Sequence, residues 1–304
     1  MITARQVEAF RAVMVYGGSQ RAAEALNISQ PAVSRLVSSL EQKIGFLLFD
    51  REGRGLVPTP EAQFFLRDVD GFFNGLDRLD ASANAIREGR QGTLRLSVMP
   101  AVALSLAQLI IEGIVTTFPK AQVTLDVHTA PRIADLVAAG RFDIGLAHLD
   151  EARADLEVLS SWTVDCVCVM RADHPLSTKP QIEARDFADN EAVLLSFDTR
   201  TARQVEQMFL AADVRPKIRV TAQPSYVAFR LAEHGLGITI IDAFTASTLA
   251  SPKVAIRPLA EKIGFRVKMI RPSGLRPSAL ASQSADIARR VLDEQIPSIH
   301  SIVS

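Results

Sequence analysis

Along the first 59 residues the apolar positions step by three and four. Val7, Phe10, Val13 and Met14 form one stripe, Ala22, Ala23 and Leu26 a second, and Val33, Leu36, Val37 and Leu40 a third. That period predicts three short amphipathic helices. Gly17-Gly18 ends the first, Ser19 can cap the second, Asn27-Ile28 makes a turn, and Ser29 is the next N-cap. Pro31 then falls in the first turn of the third helix, where its missing N–H costs nothing. Leu47–Phe49 and Leu56–Val57 flank Asp50-Arg51-Glu52-Gly53-Arg54-Gly55, which reads as a tight hairpin or wing.

The period then changes. From Pro60, with Thr59 as N-cap, Phe65, Val69, Phe72, Leu76, Leu79, Ala83 and Ile86 alternate steps of four and three. This is an a/d seam on one long helix, and such a helix wants a partner helix. Gly71 and Gly75 weaken it intrinsically, so packing must hold it. After Gly92 the pattern alternates strand and helix. Strands are expected at Leu94–Val98, Val123–Val127, Phe142–Ala147, Val164–Met170, Ala192–Leu195, Ile218–Thr221, Gly237–Ile241 and Phe265–Met269. Helices are expected at Ala101–Phe118, Ile133–Ala139, Ala202–Leu210, Ser225–His234 and along Leu280, Ile287 and Val291. Residues 297–304 read as a loose tail. The sequence thus predicts three parts: 1–59 with a wing, a helix over 60–91, and an α/β region over 92–304. That region should fold as two lobes with a cleft between them, lobe I about 92–164 and 267–296, lobe II about 165–266. The chain should cross between lobes near 163–168 and 264–268.

Charge and composition narrow the function. The 304 residues carry 34 basic and 34 acidic side chains, which argues against a globally basic nucleic-acid binder but not against a local basic surface. Residues 1–59 hold seven basic and five acidic residues, so position matters more there than the sum. Two cysteines rule out a disulfide scaffold and suit a reducing cytosol. No signal peptide and no bilayer-length apolar run are visible, so a cytoplasmic protein without membrane contact is expected. Cys166 and Cys168 lie two apart on one strand, poorly set for a disulfide, and read as buried small hydrophobes rather than a redox pair. His128, His148, His174, His234 and His300 show no metal spacing, and no metal or cofactor is expected. Gly235-Leu236-Gly237 lacks the third glycine of a dinucleotide loop and reads as a helix end and strand entry. No P-loop or nucleophile elbow appears, so no catalytic residues are assigned.

Two short helices, a tight turn and a third helix with a polar outer face make a helix-turn-helix. Ser29, Gln30 and Pro31 sit where free backbone N–H groups meet a phosphate. Gln30, Ser34, Arg35 and Ser38 line the outer face, Ser19 and Gln20 open the second helix, and Arg51 and Arg54 sit on the wing. The segments Phe10-Arg11-Ala12-Val13, Gly18-Ser19, Ala22-Ala23-Glu24-Ala25-Leu26, Ser29-Gln30-Pro31-Ala32-Val33-Ser34, Ile44-Gly45, Leu48-Phe49-Asp50-Arg51 and Pro58-Thr59 resemble a LysR-type transcriptional regulator, and the resemblance covers the whole chain. It implies a winged helix-turn-helix, a linker helix and a two-lobed effector domain similar to periplasmic binding proteins. It further implies a homodimer through the linker helix, assembled into a homotetramer on an inverted-repeat site in double-stranded DNA. Ser29, Gln30, Pro31, Ser34 and Arg35 would then face the major groove.

The resemblance places a small-molecule effector between the lobes, at strand ends and helix N-termini, in agreement with the general rule for open α/β sheets. Its first loop here is Met99-Pro100-Ala101-Val102, where many relatives carry Ser or Thr, so a hydroxyl clamp is missing. Further candidates are His128, Thr129, Ala147 and His148 from one lobe, and Ser196, Phe197, Asp198, Thr199, Gln223, Ser225, Asp242 and Phe244 from the other. The runs SVMPAVA and GLGITIIDAFTA look most like the opine-catabolism branch, which responds to amino-acid conjugates such as octopine and nopaline. Asp198 and Asp242 would then meet the cationic part of a zwitterionic ligand, or serve as ordinary loop or cap aspartates. Two other readings stay open: an enzyme carrying a DNA-binding domain, which turnover would reveal, and an architectural DNA binder whose cleft is sealed.

Overall fold

A computed structural model describes residues 1–52, 55–87, 92–149, 152–196 and 200–303. The chain divides into two compact units, 1–81 and 82–304.

The first unit contains α1 (Ala4–Tyr16), α2 (Ser19–Leu26), α3 (Gln30–Ile44), the antiparallel hairpin β1 (Phe49–Glu52) and β2 (Gly55–Pro58), and most of α4 (Pro60–Arg87). Gly17 stops α1 in the left-handed region (φ 72°), and its N–H bonds back to the Val13 carbonyl at 3.0 Å. Gly18 takes the N-cap position of α2, so Ser19, expected to cap, is instead its first helical residue. Asn27 makes the turn in the left-handed region (φ 52°), a conformation asparagine tolerates better than other side chains. Ser29 precedes α3 with Pro31 in its first turn.

The apolar stripes converge on Phe10, which is completely buried, with its ring 5.8 Å from that of Phe49 and 5.5 Å from that of Phe65. Leu40, Leu48, Ala62 and Val69 complete this core. Three polar links brace it. The Glu41 carboxylate accepts the N–H groups of Leu48 and Phe49, tying α3 to the hairpin. Thr59 caps α4 by accepting the Ala62 N–H at 3.1 Å. Arg11 joins α1 to α4 through Asp70 at 2.7 Å and lies 5.1 Å over the Phe73 ring.

The second unit is built on one continuous nine-stranded sheet. Its elements are β3 (Thr93–Val98), α5 (Pro100–Ser105), α6 (Ala107–Thr117), β4 (Gln122–Val127), α7 (Ala130–Ala138), β5 (Ile144–Ala147), β6 (Leu156–Arg171), β7 (Glu191–Leu195), α8 (Arg200–Ala211), β8 (Lys217–Ala222), α9 (Ser225–Glu233), β9 (Ile238–Asp242), α10 (Ala243–Leu249), β10 (Val254–Pro258), β11 (Gly264–Pro272) and α11 (Ala279–Val303). The strand order is β4-β3-β5-β11-β6-β9-β7-β8, with β10 also paired to β6. β6 serves both halves. Its residues 156–165 pair with β11, and residues 166–171 pair with β9 and β10.

Four expectations need correction. The helix expected over Ala101–Phe118 is two helices that break at Leu106 (φ −124°, ψ −17°). α5 packs on α10 while α6 packs on α11, so one straight helix could not serve both neighbours. The strand expected at Val164–Met170 begins eight residues earlier, at Leu156, because the pairing to β11 extends it. The return crossing between halves lies just ahead of Gly264 rather than within 264–268, since all of β11 pairs inside the first half. The expected loose tail is helical as far as Val303, with Pro297 inside the helix. The strand β10 and the helix α10 were not anticipated.

Candidate functional site

In the first unit, α2 and α3 form the helix-turn-helix expected from the sequence. Every buried residue of α3 (Val33, Val37 and Leu40) faces the core, while Gln30, Pro31, Arg35 and Ser38 are exposed and Ser34 is half-buried. The Gln30 amide donates to the Ser19 hydroxyl at 3.0 Å and to the Ser34 hydroxyl at 3.2 Å. Three expected DNA-contact residues from two helices therefore share one hydrogen-bonded surface. Ser19 is half-buried at the start of α2 and Gln20 is exposed beside it. Ser29 precedes α3 and is exposed. Arg35 lines a shallow hollow with Arg5 and Glu8 of α1. Arg51 belongs to β1, and Arg54 lies outside the described residues.

In the second unit the expected cleft residues fall into two groups. Met99 N-caps α5 and its N–H bonds to the Leu146 carbonyl at 2.9 Å, fixing the end of β3 against β5. Ala101, Val102, Ala147 and Phe244 are buried. This follows from α5 of the first half packing directly against α9 and α10 of the second. Pro100, His128, His148, Ser196 and Ser225 are half-buried, and Thr129 and Gln223 are exposed. Phe197, Asp198 and Thr199 lie outside the described residues.

The two histidines are held by groups the sequence did not single out. His128 Nδ1 sits 3.1 Å from the hydroxyl of buried Ser97, and its ring meets Phe142 edge-on at 5.9 Å. His148 Nδ1 lies 2.6 Å from the Arg266 carbonyl, and its ring is 6.0 Å from Phe265. A carbonyl only accepts, so Nδ1 of His148 carries the proton. Ser97 gave no sequence signal, because the alternation of Leu94, Leu96 and Val98 assigns it to the opposite face of β3, yet it is completely buried. Phe265 and Arg266 are brought to His148 by a pairing between distant strands, which no local pattern reports.

Of the two readings left open for Asp242, the geometry fits the cap: the residue is completely buried. Its carboxylate caps α10, accepting the Thr245 N–H at 2.8 Å and the Thr245 hydroxyl at 3.1 Å. It also accepts a hydrogen bond from the side chain of Ser225 at the start of α9. Burial raises its pKa above the ordinary aspartate value, and these hydrogen bonds only partly oppose the rise. Asp242 therefore joins α9, β9 and α10 at the edge of the expected cleft.

Cys166, opposite Asp242 in the ladder, and Cys168 are free and buried. Burial pushes both thiols up, with Asp242 and Asp165 adding to the effect on Cys166 and Asp186 to that on Cys168. Neither has the low-pKa, exposed environment of a reactive cysteine. Gly235 and Gly237 form the end of α9 and the entry to β9. At Gly237 (φ 149°) a Cβ would lie 2.6 Å from the Glu191 carbonyl oxygen, so the close approach of two strands requires glycine. Among the described residues no group of three or more histidine, cysteine or acidic side chains could hold a metal ion, and no helix is long and apolar enough to cross a membrane.

Residues 4–63 match the model of the bacterial regulatory helix-turn-helix protein, lysR family, and residues 87–293 match that of the LysR substrate binding domain. Regulatory protein NocR of Agrobacterium fabrum is 30% identical over 283 residues, 93% of this chain and 94% of the relative. The octopine catabolism/uptake operon regulatory protein OccR of Rhizobium meliloti is 31% identical over 281 residues, covering 92% and 93% of the two chains. Full-length CbnR in complex with its target DNA shares the fold with a TM-score of 0.68 at 21% identity, covering 95% of this chain and 99% of that one.

Proposed function

The chain belongs to the LysR family of DNA-binding transcriptional regulators with an effector-binding domain, and from that premise we propose that it reads an inverted-repeat operator under the control of an opine-like amino-acid conjugate. The observation that carries the DNA half is the hydrogen-bonded Ser19–Gln30–Ser34 surface with Arg35 beside it on the exposed face of α3. We assign residues 1–59 to DNA binding, 60–91 to the linker, and 92–304 to the effector, with lobe I as 92–164 and 267–296 and lobe II as 165–266. The protein acts in the cytoplasm and is a regulator rather than an enzyme.

Gln30→Ala and Arg35→Ala are each expected to cost about 1–3 kcal/mol of operator affinity. Quantitative footprinting checks this, and an unchanged footprint in both variants rejects α3 as the reading helix. On the wing, Arg51 and Arg54 supply backbone contacts whose loss weakens all sequences alike.

The seam of α4 supports a dimer. Val69 is buried in the first core, whereas Phe72, Leu76 and Leu79 are exposed, Leu79 at 67%. Such a stripe on one helix is what a second copy covers, and two such dimers form the tetramer. Leu79→Glu places a charge in that seam and is expected to raise the dimer dissociation constant at least about tenfold. Sedimentation equilibrium reads it, and an unaltered association constant excludes the seam as the interface.

The effector half rests on the 31% identity to OccR and on the half-buried His128, His148, Ser196 and Ser225 at the edge of the two lobes. An effector acts on this domain by binding one lobe arrangement better than another. Thermal unfolding against octopine, nopaline and basic amino acids tests this. A ligand at 100 times its dissociation constant adds about 2.7 kcal/mol, a shift of a few degrees. No shift across the panel overturns the opine assignment and leaves the operator assignment standing.

A further inference from the structure

The two flanks of α3 have different neighbours. Gln30, Ser34 and Glu41 follow one flank, Ala32, Leu36, Ser39 and Lys43 follow the other, and Arg35, Ser38 and Gln42 run exposed between them. The first flank meets α2, where the Gln30 amide donates to the Ser19 hydroxyl at 3.0 Å. The second meets the first turn of α1. There the Gln6 amide donates to the Ser39 hydroxyl at 2.9 Å, and the Lys43 ammonium donates to the Gln6 side-chain oxygen at 3.1 Å and to the Met1 carbonyl at 2.9 Å. Gln6 thereby pins the start of α1 beside α3, while its neighbour Arg5 is exposed. Arg5 shares a hollow of about 430 Å³ with Glu8 and Arg35, over an apolar floor that includes Ile28, Ala32 and Leu36. Among the described residues no hydrogen bond or ion pair engages either guanidinium.

A helix seated in the major groove nearly fills its width of about 12 Å, so each flank of the helix looks onto one phosphate strand. We propose that the α1 flank holds the strand opposite the one that α2 meets, with Arg5 on a phosphate and Glu8 keeping the backbone off the next turn of α1. The hollow admits the ridge of a sugar–phosphate backbone, its apolar floor lying against deoxyribose and its guanidinium against phosphate. A guanidinium without a protein partner gives up no ion pair when it takes that phosphate. Glu8 stands one turn along α1 from Arg5, and its carboxylate repels a phosphate that Arg5 attracts. Two opposite charges one turn apart thus set where the strand lies along α1 without reading any base. The assignment rests on α3 being the reading helix, and it adds a contact from α1, which none of the DNA-binding residues named so far supplies.

The test measures DNA affinity of the full-length protein by fluorescence anisotropy between about 50 and about 200 mM salt. The probes are the duplex that the protein itself selects from a random pool and a scrambled version of that duplex. Arg5→Gln should weaken binding to both about three- to tenfold and lower the slope of log affinity against log salt by about one. Arg5→Lys keeps the charge and should retain the slope. Glu8→Gln should act in the opposite direction, strengthening binding to both duplexes about threefold. Arg5 and Glu8 are exposed, so each variant should keep the circular dichroism spectrum and the melting temperature of the parent. An unchanged salt slope in Arg5→Gln overturns the proposal, and so does a loss confined to the selected duplex, which a phosphate contact does not produce. Weaker binding by Glu8→Gln overturns the part assigned to that carboxylate. If Gln30→Ala and Arg35→Ala lose affinity while the Arg5 and Glu8 variants do not, the α1 contact fails and α3 stands as the reading helix. If none of the four changes binding, α3 fails as well.

Discussion

Replacing Phe10 with alanine is expected to lower the stability of the 1–81 unit by about 3–5 kcal/mol, the usual cost of emptying a fully buried aromatic position. The reason is local. Phe10 is 0% exposed and its ring meets Phe49 of the hairpin and Phe65 of α4, so one side chain joins α1, the wing and the long helix. For a unit of this size the loss moves the midpoint by more than about 12 °C. Calorimetry should show the transition of that unit moving while the transition of residues 82–304 stays in place. Operator binding should disappear at temperatures where the ligand response persists. Phe10→Leu keeps most of the volume and should cost much less. An unmoved first transition in the alanine variant would mean that the three rings do not share the energetic weight their packing implies.

The second large effect is expected at Asp242. Asp242→Ala removes the cap of α10 and leaves the Thr245 N–H and the Ser225 and Thr245 hydroxyls without their acceptor. A lost cap and stranded buried donors together cost about 2–4 kcal/mol. Asp242→Asn keeps an acceptor in the same place and should lose far less. The two differ in their pH behaviour as well. Burial holds the carboxyl's pKa above its ordinary value, so the folded protein retains this proton at a pH where the unfolded chain has released it. Stability from this group is therefore greatest below the ordinary aspartate value of about 3.9. It falls as pH rises through the raised folded value, then levels off. The difference in unfolding free energy between wild type and Asp242→Asn should trace that decline. A difference independent of pH above 4 would show that the carboxyl titrates as it does in water.

These two positions also mark what the chain reveals in advance. The first unit was legible because each helix buries a stripe with a 3.6-residue period and ends at a residue suited to the stop, Gly17, Asn27 or Gly45. The strands of the second unit were legible wherever apolar residues alternate or run together, as in β3, β5 and β9. The break at Leu106 was hidden because Leu106 and Ala107 are both buried and neither disfavours a helix. Only the two different neighbours of α5 and α6 require the bend. The first residues of β6 were hidden for the opposite reason: Glu157 and Val158 are exposed, and their strand conformation comes from pairing with β11, more than a hundred residues away. α10 is short and rich in small polar residues, a composition without a period. At the site, sequence could place Asp242 at the end of a strand but could not report its depth. That depth is what turns a candidate ligand partner into a cap.

The placement of β11 between β5 and β6 governs the order in which this protein can assemble on the ribosome. All of lobe II lies in the chain between β6 and β11. When residues 1–258 have emerged, lobe II has all its strands, from β6 to β10, but lobe I still has an unfilled slot in the middle of its sheet. For that interval β5 and the first ten residues of β6 present bare backbone edges to the surroundings, the kind of surface on which nascent chains aggregate or exchange strands. The nine residues of β11 close both edges at once.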